Sequence, residues 1–302
     1  MTRIAVAGSK GQVASALAER AGPDVEIITL GRPLLSLEDR ASVLTAIEAA
    51  KPDVVINAAA YTAVDKAESE PDLALAVNGE GAGHVAEAAA RAGVPILHLS
   101  TDYVFDGTLD RPYREDDPTR PTGAYGRTKL VGEQRVAERQ PNSAILRTAW
   151  VYSPFGTNFV RTMLRLNETM EEVEVVADQR GNPTSALDIA DALLAIAARI
   201  GEDNSPALRG IFHMTGSGEA VWADFAEAVF ENARMHGRQP TRVKRIATAE
   251  YPTPVRRPAN SRLDNGKLHQ AYGVALPNWR KSVAEVCARL ISRGDILCAK
   301  SS

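Results

Sequence analysis

The sequence is poor in the residues that mark metal-binding, disulfide-bonded or membrane-spanning proteins. Its 302 residues include two cysteines, Cys287 and Cys298, and five histidines, and neither set has the spacing of metal ligands. No stretch reaches the roughly 20 apolar residues of a membrane span, and residues 1–7 are too short for the apolar region of a signal peptide. We therefore expect reduced structural thiols, no metal site, no membrane association and a cytoplasmic location.

Concentrated positive charge is also missing. The 35 Lys and Arg residues are outnumbered by 38 Asp and Glu residues, the formal net charge is -3, and no block is rich in Lys and Arg. Nucleic acids and anionic membranes require a concentrated basic face, so neither is expected as a partner. Because 44% hydrophobic and 24% charged residues are ordinary for a globular protein, a small-molecule ligand is the better expectation.

Short apolar runs alternate with alanine-rich helical patterns through the first half of the chain. The predicted strands are residues 3–7, 25–30, 54–57, 95–100 and 143–147, and the predicted helices are residues 12–20, 42–50, 74–92 and one that opens near Tyr125. Such nearly continuous apolar strands are typical of a parallel sheet that is covered by helices on both faces. The pattern predicts an α/β fold with a Rossmann-type doubly wound parallel sheet.

The regular alternation loosens after Trp150. Helical patterns cover residues 158–166, 187–200 and 223–235, extended patterns cover residues 173–176 and 211–214, and the prolines between residues 252 and 277 indicate loops. We expect residues 1–150 to form a dinucleotide-binding domain to which residues 172–198 return. Residues 151–302 would form mainly a smaller, interleaved C-terminal substrate lobe. In that lobe Trp222, Phe225 and Phe230 are interpreted as core or interface residues rather than site residues.

A glycine-containing turn follows the first predicted strand and opens the first helix. It reads Gly8-Ser-Lys-Gly11-Gln12-Val13-Ala14, and this position favours a dinucleotide site. Gly8 would form the tight turn, and Gly11 would let backbone N–H groups approach a pyrophosphate beside the positive end of the helix dipole. Alanine replaces the third glycine that is usual in this motif, and it can still pack the helix closely against the strand.

The residue at the end of the second predicted strand influences whether such a fold binds NADH or NADPH. An acidic residue there binds the 2′-hydroxyl of the adenosine ribose and repels a 2′-phosphate. This chain instead has Leu30-Gly31-Arg32, and Arg32 is able to donate charge-assisted hydrogen bonds to a 2′-phosphate. The sequence therefore favours NADPH, with NADH as the alternative.

Tyr125-Gly-Arg-Thr-Lys129 places a phenol and an ammonium four residues apart, on one face of a helix. A ketone that accepts a hydride also needs a proton at its oxygen, and a nearby cation lowers the pKa of a tyrosine toward the working pH. Tyr125 is thus a candidate proton donor and Lys129 its candidate partner. Lys129 would also hold the nicotinamide ribose.

Two hydroxyl residues, Ser100 and Thr101, close the fourth predicted strand. The carboxyl edge of an open α/β sheet is where such folds bind ligands, so we expect both hydroxyls to face the cleft. A hydroxyl in that place can hydrogen-bond a substrate carbonyl and stabilise charge that forms on its oxygen.

These motifs, in this order, resemble the extended short-chain dehydrogenases/reductases, and finer motifs are similar to the dTDP-4-dehydrorhamnose reductase family over nearly the whole chain. The segments that carry the finer resemblance are Gly11–Val13, Asn57–Glu70, Ser100–Gly107, Tyr125–Glu133, Arg147–Tyr152, Asp178–Thr184 and Arg257–Asp264. The resemblance implies that NADPH reduces the C4 keto group of dTDP-4-dehydro-L-rhamnose to dTDP-L-rhamnose while Tyr125 protonates the oxygen.

The same resemblance implies roles for further residues. Lys129 would assist Tyr125, Thr101 would contact the reacting carbonyl, and Asp102 and Trp150 would contact the sugar nucleotide. The cofactor would be lined by a larger set: Gly8, Gly11, Gln12, Val13, Gly31, Arg32, Leu37, Ala60, Tyr61, Thr62 and Leu99. The family usually has an acidic residue where this chain has Gly31, and often an aspartate contacting adenine where it has Ser36. These two departures bear on the choice of cofactor.

Two other functions remain open from the sequence alone. The scaffold also suits an NAD-dependent sugar-nucleotide epimerase or dehydratase, which would retain its cofactor through dialysis. Relatives of the family also serve as non-catalytic regulatory subunits of a methionine adenosyltransferase, although the intact Thr101, Tyr125 and Lys129 favour an enzyme here. A homodimer is compatible with the family, and the sequence gives no indication for or against dependence on Mg²⁺.

Overall fold

A parallel β-sheet lies at the centre of the molecule, whose residues 1–293 are described by a computed structural model. Cys298 lies outside the described residues. In chain order the strands are β1 (Thr2–Ala7), β2 (Val25–Leu30), β3 (Val54–Asn57), β4 (Ile96–Thr101), β5 (Ser143–Thr148), β6 (Val151–Tyr152), β7 (Glu172–Val176), β8 (Arg180–Gly181), β9 (Thr184–Ser185), β10 (Gly210–His213), β11 (Ala220–Val221) and β12 (Arg242–Ile246).

Helices connect most of these strands. They are α1 (Gln12–Glu19), α2 (Arg40–Ala50), α3 (Pro71–Leu75), α4 (Gly81–Ala92), α5 (Ala124–Arg139), α6 (Phe159–Leu166), α7 (Ala186–Glu202), α8 (Trp222–Met235), α9 (Gly266–Tyr272) and α10 (Trp279–Arg293). Local chemistry sets several ends: Asp39 caps α2 by accepting from two backbone N–H groups, and Gly93 ends α4 in the left-handed conformation. No helix within residues 1–293 is long and apolar enough to cross a bilayer.

The central sheet has the strand order β10-β5-β4-β3-β1-β2, and every pair in it is parallel. One face is covered by α2, α4 and α5, and the other by α1 and α7, and apolar side chains on both faces form the core around the sheet. The predicted Rossmann-type α/β fold is therefore confirmed. Because all six strands run the same way, their carboxyl ends meet at one edge of the sheet.

A second apolar core lies among α6, α8 and α10 and includes Phe225, Phe230 and Trp279. Next to it, β7 and β12 form a separate two-stranded parallel sheet. Of residues 172–198, α7 packs against α1 beneath the central sheet, whereas β7 pairs with β12. The division into a dinucleotide-binding domain and a substrate lobe stays a prediction. The region expected to form loops also contains α9, which the prolines did not indicate.

A buried ion pair joins α5 to the central sheet. Arg147 on β5 donates from Nε and Nη2 to the two carboxylate oxygens of Glu133 on α5, at 2.9 and 2.7 Å. Ser100 at the end of β4 donates to the same carboxylate at 2.5 Å. Both charged side chains are 2% exposed, and the Arg147 guanidinium lies 5.0 Å from the centre of the Phe105 ring. One carboxylate thus holds three elements together.

Replacing Glu133 by glutamine should leave the Arg147 charge buried without a counter-ion. We expect the free energy of unfolding to fall by about 3–5 kcal/mol, measured by urea denaturation. The double variant Glu133→Leu/Arg147→Met removes both charges and should recover most of that loss. Glu138→Gln on the exposed side of α5 is the matched control, and an equal loss in this control would contradict the assignment.

Candidate active site

The end of β4 places two consecutive hydroxyls on opposite sides of the sheet, because side chains alternate along a strand. Ser100 points to Glu133 under α5, so the prediction that its hydroxyl faces the cleft is wrong. The Thr101 hydroxyl points the other way, where it accepts a hydrogen bond from the Tyr103 N–H at 3.2 Å and donates to Asp102 Oδ1 at 3.0 Å. Thr101 is 4% exposed and is held in one orientation by these contacts.

Tyr125 lies in the first turn of α5, within hydrogen-bonding contact of the Thr101 hydroxyl. Its ring packs edge-on against Tyr103, with ring centres 5.5 Å apart. Burial raises the pKa of the Tyr125 phenol well above its usual value, and the contact with Thr101 opposes that rise. The phenol is protonated at neutral pH, as a proton donor must be, and its raised pKa makes it a weaker acid here than an exposed tyrosine.

Lys129 follows one turn later and is 3% exposed. Its ammonium donates to the backbone carbonyl of Leu99 at 2.7 Å. Burial lowers the Lys129 pKa to about 8, although the nearby Glu133 carboxylate acts in the opposite direction. We expected this cation to lower the Tyr125 pKa, but burial of the phenol dominates because Lys129 is directed to Leu99.

The phosphate loop has the conformation that the glycines predicted. Gly8 has φ +120°, in the left-handed region, and a Cβ there would lie 3.4 Å from the Ala59 backbone nitrogen. Gly11 precedes α1, and a Cβ at this position would have no heavy atom of the described chain within 4 Å. A ligand can thus approach the helix N-terminus closely.

Two other predicted residues of this loop have structural contacts. Gln12 accepts from Ser153 at 2.8 Å and donates to the Val151 carbonyl at 3.4 Å, so it ties the loop to the chain after Trp150. Val13 is buried in the core between α1 and the sheet.

A cavity of about 330 Å³ at the end of β2 brings together six of the predicted cofactor residues: Gly8, Gly31, Arg32, Leu37, Ala60 and Tyr61. Thr62 is exposed and lies outside its lining. At Gly31 a Cβ would come within 2.1 Å of the Ser9 hydroxyl oxygen, so this position cannot carry an acidic side chain without displacing Ser9. Arg32 is 71% exposed and pairs with Glu38.

The wall of this cavity is supported by Asn78, which sequence reasoning missed. Asn78 lies in a π-helical turn (Ala76–Glu80) ahead of α4 and is 1% exposed. Its amide accepts from the Tyr61 N–H at 2.8 Å and donates to the Tyr61 carbonyl at 3.1 Å and to Thr128 at 3.2 Å. Such turns are frequent at functional sites, and this one holds the Tyr61 backbone against α5.

A second cavity, of about 520 Å³, opens between the carboxyl edge of the sheet and the second core. Asp102 and Trp150 line it, as the predicted substrate contacts should. Trp150 has φ +48° and stacks on Trp222, with ring centres 3.6 Å apart and planes at 9°. Trp222 packs against the core, as predicted, and also lines the cavity, while Phe225 and Phe230 are buried in the core.

Several lining residues of this second cavity were not singled out from the sequence: Tyr103, Phe159, Gln179, Tyr251, Arg257 and Ser261. Arg257 pairs with Asp65 at 2.6 Å and contacts the Tyr103 hydroxyl at 3.3 Å. Gln179, Arg257 and Ser261 lie within segments that carried the family resemblance, which was the one signal available. No three His, Cys, Asp or Glu side chains in the described part of the chain are arranged to hold a metal ion.

Asp102 is a buried carboxyl group at the border of this cavity, with 3% exposure. Its Oδ1 accepts from Thr101, whereas its Oδ2 has no hydrogen-bond partner among the described residues. Burial raises the Asp102 pKa to about 7, and the neighbouring Thr101 and Ser261 hydroxyls oppose that shift. The site therefore combines a phenol, an ammonium, a hydroxyl and a carboxyl group that titrates near neutrality.

Comparison with known proteins finds similar sequences over almost the whole chain. The family described as "RmlD substrate binding domain" matches residues 1–292. The dTDP-4-dehydrorhamnose reductase of Sinorhizobium fredii is 55% identical over 293 residues, which are 97% of this chain and 99% of that protein.

Two solved structures are also similar over almost the whole chain. The dTDP-4-dehydrorhamnose reductase of Clostridium acetobutylicum is 37% identical, with a TM-score of 0.88 and coverage of 96% of this chain and 99% of that one. The enzyme of the same name from Bacillus anthracis, in complex with NADP, is 32% identical, with a TM-score of 0.89 and coverage of 95% and 99%.

Gly181 allows the Trp150 indole to occupy its place, because a Cβ at this glycine would lie 2.3 Å from Trp150 Cε2. Gly181→Ala should therefore displace Trp150 and break its stack on Trp222. We expect loss of the circular dichroism signal from the coupled indoles while the far-ultraviolet spectrum of the helices is retained. Gly201→Ala, where the nearest atom is 3.9 Å from the new Cβ, is the control that should keep the signal. An unchanged signal in Gly181→Ala would contradict the proposed contact.

Proposed function

The chain belongs to the RmlD substrate binding domain family, whose relatives above are named dTDP-4-dehydrorhamnose reductases, and we propose that it reduces the C4 keto group of dTDP-4-dehydro-L-rhamnose with NADPH. It is an oxidoreductase that uses a nicotinamide cofactor. The observation that carries the proposal is the placement of Thr101, Tyr125 and Lys129 at the carboxyl edge of the sheet, where Asp102, next to Thr101, lines the cavity that Trp150 also lines.

The residues fit a nicotinamide dinucleotide. Gly8 and Gly11 leave room at the N-terminus of α1, and the cavity beside Gly31 continues from that loop. When bound, NADPH supplies the hydride that becomes attached to C4. The ammonium of Lys129 would hold the nicotinamide ribose from its position beside the Leu99 carbonyl.

Tyr125 supplies the proton in this proposal. Its phenol is protonated at neutral pH, and the adjacent Thr101 hydroxyl is fixed by Tyr103 and Asp102. Tyr125 would hydrogen-bond the carbonyl oxygen and protonate it as the carbon receives the hydride. The single hydroxyl proton of Thr101 is donated to Asp102, so Thr101 would lie against the carbonyl without donating to it. Reprotonation of Tyr125 from solvent completes the balance of one hydride and one proton per turnover.

The cavity next to these residues suits a sugar nucleotide. Its aromatic wall contains the Trp150 and Trp222 stack with Phe159, and Arg257 adds a guanidinium that can donate to diphosphate oxygens. Asp102 lies at the end that adjoins Thr101. We infer that Asp102 and Trp150 contact the sugar and that the remainder of the substrate extends toward Arg257.

The preference for NADPH is supported by two features at the end of β2. Ser9 occupies the space that an acidic side chain at position 31 would need, which removes the usual repulsion of a 2′-phosphate. The exposed Arg32 guanidinium lies at the mouth of the same cavity, where Glu38 and Ser36 hold it. A 2′-phosphate would compete with Glu38 for this guanidinium.

Tyr125→Phe should lower kcat by about 10²–10⁴-fold, because the substrate oxygen then lacks its proton donor. The measurement is the decrease in nicotinamide absorbance during reduction of enzymatically generated dTDP-4-dehydro-L-rhamnose, with dTDP-L-rhamnose identified as product. Fluorescence titration should show that the variant still binds NADPH. Near-normal turnover in Tyr125→Phe would contradict the role assigned to Tyr125.

Arg32→Ala should lower the ratio of kcat/KM with NADPH to kcat/KM with NADH by about tenfold or more, because a charge-assisted hydrogen bond to the 2′-phosphate is lost. Glu38→Gln should raise the same ratio by freeing Arg32. Arg40→Ala, which breaks an ion pair with Glu87 on the surface, is the control that should leave the ratio unchanged. If Arg32→Ala leaves the ratio unchanged, the 2′-phosphate is not bound by this residue.

A further inference from the structure

Asp102 is a buried carboxyl group that has no ion-pair partner and one unpartnered oxygen among the described residues. A buried charge is stable when it is paired and hydrogen-bonded, because desolvation of an ion is costly. Asp102 is 3% exposed, receives one side-chain hydrogen bond from Thr101, and leaves Oδ2 without a partner among the described residues. Ser261 is adjacent, but its hydroxyl contacts the Arg180 carbonyl.

The charged and titratable groups around Asp102 do not supply a counter-ion. Tyr103 from the same turn and Tyr125 from α5 are both neutral at pH 7, since burial raises the pKa of each phenol. Arg257, across the cavity, is paired with Asp65. Glu174 also lines the cavity and is paired with Lys244 at 2.7 Å.

The proposed substrate would bring negative charge into the cavity that Asp102 lines. A nucleoside diphosphate sugar brings anionic oxygens into the cavity that Asp102 lines, and an ionised carboxylate in contact with the sugar would increase the repulsion. A protonated carboxyl group has the opposite property, because its O–H can donate to a sugar hydroxyl or carbonyl oxygen. Oδ1 is taken by Thr101, and Oδ2 is buried without a partner among the described residues, so Oδ2 donates in this way once the carboxyl group turns toward the cavity.

We propose that Asp102 acts as a neutral carboxylic acid, which accepts from Thr101 through Oδ1 and donates from Oδ2–H to an oxygen of the sugar nucleotide. The identity of the ligand rests on the function proposed above, whereas the protonated state of Asp102 does not. In this arrangement Asp102 orients Thr101 and recognises the sugar with the same carboxyl group. Ionisation of Asp102 would remove the donor and weaken both substrate binding and turnover.

The protonated state is tested first, without substrate. Infrared difference spectra between the native protein and Asp102→Asn should contain, at pH 6, the C=O stretching band of a protonated carboxyl group, and this band should disappear as the pH rises through about 7. Asp24→Asn, an exposed aspartate at the opposite edge of the sheet, is the matched control that should give no such band. Absence of the band in the Asp102 spectrum at pH 6 overturns the proposal.

Kinetics with NADPH and dTDP-4-dehydro-L-rhamnose then test the donor role. At pH 6.5, kcat/KM of Asp102→Ala should lie about tenfold or more below that of Asp102→Asn, because an amide retains one donor and one acceptor whereas a methyl group has neither. As pH rises, kcat/KM of the native enzyme should fall first through ionisation of Asp102 near pH 7. In Asp102→Asn this fall should move up by about one pH unit, toward the titration of Lys129.

The infrared and kinetic experiments distinguish failure of the neutral-donor role from failure of the proposed function. If Asp102→Asn is as impaired as Asp102→Ala at pH 6.5, or its pH profile matches the native one, the neutral donor role is wrong. If the native protein shows the infrared band but does not reduce the keto sugar, the proposed function fails while the protonated state of Asp102 stands.

Discussion

The Glu133 carboxylate is the point at which the elements carrying the candidate chemistry are joined. It accepts hydrogen bonds from Ser100 on β4 and from Nε and Nη2 of Arg147 on β5, and it lies on the helix that carries Tyr125 and Lys129. Nη1 of Arg147 is buried without a partner among the described residues, so the Glu133 carboxylate is the main compensation for this buried charge, and moving α5 away from it is costly. The position of α5 relative to the ends of β4 and β5 is therefore fixed, and so are the distances among Thr101, Tyr125 and Lys129.

The fold was predictable to the extent that local patterns decide it. The strands β1 to β5 each contain a short apolar run, and the helices between them have one apolar face, so the parallel sheet followed from the sequence. Features that depend on contacts between distant residues could not be predicted from local patterns. Nothing local shows that β7 pairs with β12 seventy residues later, or that Asn78 lies in a π-helical turn inside the helix expected over residues 74–92.

In the candidate site, too, only the features that local patterns decide could be predicted from the sequence. Spacing on a helix placed Tyr125 and Lys129 on one face, and the strand–glycine–helix order placed the turn at Gly8 and Gly11. Orientation was decided by partners that the sequence does not reveal. Ser100 donates to Glu133, Lys129 donates to the Leu99 carbonyl, and Trp150 stacks on Trp222 because Gly181 makes room for the Trp150 indole.

The place of β10 at the edge of the central sheet has a consequence for synthesis on the ribosome. β5 is complete once residue 148 has emerged, and every residue of it is buried in the finished protein. Its outer edge is covered only when β10, which begins at residue 210, has joined it. A nascent chain that ends between these points therefore presents an apolar strand with unpaired backbone groups, the feature that drives edge-to-edge aggregation. The burial of β5 is therefore completed only by a strand that lies about 60 residues further along the chain.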